Sequence, residues 1–95
     1  MPRPTTPPPL SHVLSGKWPN AELDGDVGAQ YCQHLAAVLV KRLADLGWSY
    51  RELERQSGVS YRAISQVANG LSAPDLRSLG KLEVALDVDL LPRRR

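Results

Sequence analysis

The 95-residue chain suits one small domain and is too short for two independent cores. Its net charge is only +2 with 23% charged residues, which excludes a histone-like basic protein and makes local placement of charge decisive. The single cysteine, Cys32, excludes an internal disulfide and a cysteine-based metal cluster, in keeping with a reducing cytoplasm.

Residues 1–26 hold six of the eight prolines, beginning PRPTTPPPL. Such a stretch favours extended, polyproline-like backbone and builds no core of its own. It is expected to be an extended, flexible arm. Trp18 qualifies that expectation, because a lone aromatic among polar residues packs on something: either the domain itself or a pocket on a partner. No apolar run approaches the ~20 residues of a bilayer span. The N-terminus also lacks the layout of a secretory signal. A soluble, cytoplasmic protein is expected.

From Val27 a helical period takes over. Cys32, Leu35, Ala36, Leu39, Leu43 and Leu46 follow the spacing of an amphipathic helix that stops at Gly47. Val38 and Val40 lie off that stripe. Next comes SYRELERQSGVSYRAISQVANG, from Ser49 to Gly70. Ser49 stands three residues before Glu52, the spacing of a reciprocal capping box. Gly58 supplies a left-handed helix end, and Val59 fills the angle of the turn. Ser60 is the N-cap of a further helix reaching about Ala68, before Asn69-Gly70 stops it. Two short helices joined by a tight turn form a helix-turn-helix, whose second helix suits the DNA major groove. Pro74 fits the first turn of a fourth helix, with Leu76, Leu79, Leu82 and Leu86 along one face. Val88, Leu90 and Leu91 predict a final short turn ended by Pro92. With Phe absent and no strand-like alternation, the expected class is all-α, a compact five-helix domain over 27–92. Residues 93–95 form a basic tail.

Trp48 through Leu91 resembles the DNA-binding domain of Cro/cI-type, or XRE-family, lambda-repressor-like proteins. The resemblance rests on LGWSYRELERQSGVS, AISQVANG, APDLRSLGKLEVALDV and the closing DLL. It implies that the second helix of the motif reads base edges through Ser60, Tyr61, Arg62 and Gln66. It implies phosphate contacts from Tyr50, Arg51, Ser65 and Asn69. Side-chain chemistry agrees: Arg pairs bidentately with guanine and Gln with adenine. Many relatives bury an Arg–Glu ion pair where this chain has Leu43 and Ala68, so a packed contact is expected to replace it. The loop LSAPD after Gly70 carries no Lys or Arg, although many relatives contact phosphate there.

Several of these residues also have plain structural uses. Tyr61 can pack on Tyr50, and Arg51 and Arg55 can pair with Glu52 and Glu54 on the surface. Cys32 fits a core thiol, and His12 and His34 fit structural or solvent-facing positions. No acid–base pair, nucleophile set or metal spacing appears, so neither an enzyme nor a cofactor is expected. The expected function is a sequence-specific transcriptional regulator, a repressor of bacterial or phage origin, binding double-stranded DNA as a homodimer. The alternative is a protein-interaction module, such as the antitoxin of a toxin–antitoxin pair, with the N-terminal arm gripping its partner.

Overall fold

A computed structural model describes residues 7–92. Four α-helices follow a short N-terminal hairpin: α1 spans Val27–Leu46, α2 Tyr50–Ser57, α3 Tyr61–Ala68 and α4 Leu76–Leu86. Each begins at a side-chain cap. Asp26 accepts from the Ala29 N–H (2.9 Å), Ser49 from Glu52 (3.1 Å), Ser60 from Ala63 (3.1 Å) and Asp75 from Ser78 (2.7 Å). These bonds satisfy N–H groups that a helix start leaves without an intrahelical partner. Gly47 and Gly58, both at positive φ, end α1 and α2.

The helices enclose one apolar cluster. Leu35, Leu39 and Leu43 come from α1, Leu53 from α2, Ile64, Val67 and Ala68 from α3, and Leu79, Leu82 and Leu86 from α4. Val59 closes the cluster at the turn, and Leu90 closes it from the chain end. Leu43 and Ala68 are both buried there, and no polar or charged residue is buried among the described residues. The expected apolar replacement for a buried ion pair therefore holds.

Four expectations are corrected. Residues after Leu86 form no fifth helix. Asp87 adopts φ +52° and ends α4, the Glu83 carboxylate takes the Leu90 N–H (2.8 Å), and the Arg42 guanidinium donates to the Leu86 carbonyl (2.7 Å). The all-α class misses an antiparallel pair, β1 (Val13–Ser15) with β2 (Glu22–Leu23), preceded by a 3-10 turn at Pro9–His12. Strands this short carry too few side chains to show alternation, and a bulge between Val13 and Ser15 breaks what there is. Pro74 lies before α4 rather than in it, because Asp75 takes the cap; Leu76, expected on the face of Leu79, Leu82 and Leu86, lies off it at about 100° per residue and stands 83% exposed. Glu52 does not complete the capping box: its carboxylate bonds Arg55 (2.6 Å) and Gln56 (3.2 Å) instead. A cation one turn away outcompetes a backbone amide for that carboxylate.

Nor is the described part of the arm extended and loose. The Leu10 N–H donates to the Gly70 carbonyl (2.8 Å), and the 3-10 turn packs against α1. The Gln33 side-chain amide brackets the backbone of Ala21, accepting from its N–H (2.9 Å) and donating to its carbonyl (3.1 Å). Trp18 folds back onto the domain. Its indole N–H reaches the Ala68 carbonyl at 3.1 Å, at the C-terminal end of α3. The first six residues, including Arg3, lie outside the described residues, as does the basic tail 93–95.

Candidate nucleic-acid interface

The turn between α2 and α3 is held from both sides. The Ser57 hydroxyl donates to the Leu53 carbonyl (2.6 Å) and accepts from the Val59 N–H (3.1 Å), so one side chain bridges the end of α2 and the turn. Gly58 at φ +79° reverses the chain and returns its N–H to Glu54 (2.8 Å). Across the turn, the Glu54 carboxylate accepts the Tyr61 N–H at 2.9 Å. Ser60 holds the Ala63 N–H, so two of the N–H groups at the start of α3 are taken by side chains of the same chain. Sequence reasoning missed Ser57 and Glu54. Their bonds span the turn, where helix-periodic spacing carries no signal.

On α3 the apolar residues Ile64, Val67 and Ala68 face the core. Arg62, Gln66 and Asn69 recur at i, i+4 and i+7 and so share a different side of the helix. Arg62 is exposed and forms no ion pair among the described residues; Gln66 is half-buried. Tyr61 is exposed at its edge yet packed: its ring meets Tyr50 edge-on, centroids 5.9 Å apart at 62°. The Arg51 guanidinium lies 4.6 Å from the same ring, a cation–π contact that holds a positive charge beside the start of α3. Tyr50, Arg51 and Tyr61, separated in sequence by the whole turn, thus form one cluster. Ser60 is exposed beside it, at the cap.

The remaining residues divide. Ser65 is half-buried, and the Asn69 side-chain nitrogen bonds its carbonyl (2.8 Å) and lies 3.4 Å from its hydroxyl. Both stand near the end of α3 and support it locally. Arg55 pairs with Glu52, whose carboxyl this guanidinium holds below its ordinary range. Arg51 does not follow it and goes to Tyr61. Cys32 is half-buried, and burial raises its thiol pKa, which suits packing rather than nucleophilic chemistry. Among the described residues no cluster of His, Cys, Asp and Glu is able to hold a metal. No helix among them is long and apolar enough to cross a membrane.

A helix-turn-helix family model, of the XRE or Cro/cI-like type, matches residues 39–92, more than half of the chain. The chain belongs to this family of DNA-binding domains. Comparison with curated proteins and with solved structures returns no match. The family match starts within α1, so the hairpin and the first half of α1 lie outside it.

Proposed function

We propose that this protein is a sequence-specific transcriptional regulator, a repressor that reads the DNA major groove with helix 60–68 as a homodimer on a two-fold operator. One observation carries the reading: Arg62 and Gln66 share a non-core side of a short helix at whose start Glu54 and Ser60 take the Tyr61 and Ala63 N–H groups. Arg offers a guanine-selective fork and Gln an adenine-selective one. In this reading Ser60 and Tyr61 add contacts to base edges, while Tyr50, Arg51, Ser65 and Asn69 line the phosphates. A cytoplasmic, DNA-associated setting is part of it.

Dimerisation would place half-sites about one helical turn apart. The surface available for it is narrower than the apolar positions off the helical stripe and near the chain end. Leu90 is fully buried in its own core and Val38 and Val88 are packed against it, while Val40 and Leu91 remain exposed. DNA reading is favoured over partner capture by the arm because Trp18, the arm's one aromatic, is engaged within the chain.

The test is selection from random DNA pools followed by titration at two salt concentrations. Binding is expected to weaken steeply with salt. Arg62→Ala and Gln66→Ala are each expected to cost about 1–3 kcal/mol of base discrimination. Absence of binding by the wild-type chain at low salt overturns the proposal.

A further inference from the structure

A helix of eight residues is about 12 Å long, and the major groove it would enter is about 12 Å wide, so both of its ends approach a sugar–phosphate strand. The start of α3 has cations at hand, Arg51 over the Tyr61 ring and Arg62 in the first turn. The other end has none of its own. From Asn69 to Asp75 the only ionisable side chain is Asp75, which is spent as the α4 cap.

The hairpin docks on that end from far along the chain, and a lysine is next in sequence to the docking residue. Trp18 lies against Gly70 so closely that a Cβ on that glycine would stand 2.8 Å from the indole ring, and its N–H holds the Ala68 carbonyl. Lys17 is the adjacent residue, one Cα–Cα step of about 3.8 Å away. Its carbonyl accepts from the Asn20 N–H (2.8 Å), which closes the turn that carries it. Lys17 is exposed, and its ammonium makes no ion pair among the described residues. The nearest acidic side chain in the hairpin sequence, Glu22, is engaged with the Ser15 hydroxyl (3.1 Å).

We infer that Lys17 is a DNA phosphate-binding residue, held at the C-terminal end of the reading helix by the docking of Trp18 on Ala68 and Gly70. Residue 17 lies outside the family match, so this contact is supplied by the N-terminal hairpin rather than by the helix-turn-helix itself. Trp18 is the positioning residue. The inference rests on the DNA-binding reading above.

A phosphate contact is indifferent to base sequence, so a random-sequence duplex serves as the probe alongside a selected operator. Titrating the full chain across a salt series, Lys17→Gln is expected to lower affinity for both duplexes alike. It should also reduce the slope of log affinity against log salt by about one. Lys81→Gln, which removes the same charge from α4, should leave the slope in place. Trp18→Phe removes the indole N–H and shortens the ring that lies on Gly70, so it weakens both anchors of the hairpin. It should fold with unchanged helix content and lose part of the Lys17 effect. An unaltered slope in Lys17→Gln overturns the inference, and so does an equal loss in Lys81→Gln, since net charge then accounts for it. If the wild-type chain binds neither duplex at low salt, the DNA-binding reading itself falls.

Discussion

At Gly70 two separate demands meet in one residue. Its φ of +74° lies where an L side chain is strained, and its missing Cβ leaves the space that the Trp18 ring occupies. Gly58 has the same kind of backbone, φ +79°, with open space where a Cβ would stand. The pair therefore separates conformational strain from steric displacement. Gly58→Ala is expected to cost about 1–2 kcal/mol from the left-handed backbone alone. Gly70→Ala should cost more, because the indole must move as well, and should also change Trp18 fluorescence. Urea denaturation of both variants checks this, and equal losses would contradict the packing argument. The turn glycine and the serine caps were legible because each acts on residues three or four positions away. Trp18 was legible only as a choice between two dockings. Nothing local to residue 18 specifies a carbonyl fifty positions along the chain.

At the scale of elements, the hairpin is joined to the start of α1 by an ionisable tie. The His12 Nδ1 lies 2.8 Å from Asp24, and its Nε2 lies 3.9 Å from the Asp26 carboxylate that caps the helix. The Asp24 hydrogen bond raises the His12 pKa above its ordinary 6.5, while the same bond lowers Asp24 below 3.8. Stabilisation from a raised His is fully present below 6.5 and is lost as pH rises through the raised value. That from a lowered Asp is present above 3.8 and is lost as pH falls through the lowered value. Fastening of the hairpin to α1 should therefore be strongest in the mildly acidic window between the two. Amide exchange of the hairpin is expected to quicken as pH rises past neutrality, beyond its intrinsic pH dependence, and His12→Gln should remove that extra change. Little of this was visible beforehand. Val13–Ser15 and Glu22–Leu23 are too short for periodicity, and His12 finds Asp24 only once the strands pair. The four helices were legible from their apolar positions and, for α2 and α3, from the serine caps; the caps Asp26 and Asp75 of α1 and α4 were not read. The closing segment misled because its leucine is buried without being helical: Leu90 is placed by Glu83 rather than by a turn of its own.

Taken as a whole, the molecule is a family domain with an additional clasp. Residues 39–92 supply most of the apolar cluster, with Leu35 the one buried member of that cluster before the match begins. Removal of residues 1–23 should thus leave the helix-turn-helix folded, yet cost about 2–4 kcal/mol through loss of Trp18 burial and its hydrogen bond. Chemical denaturation with circular dichroism checks this; an unchanged midpoint would show that the hairpin contributes nothing to stability. The clasp also has a consequence for synthesis. Trp18 leaves the ribosome 50 residues before its acceptor Ala68, and at about 5–20 residues per second that interval is roughly 3–10 s. Throughout that time the Trp18 indole has no acceptor, and only the contacts of the hairpin with α1 are open to it. A side chain made early thus completes its contact late.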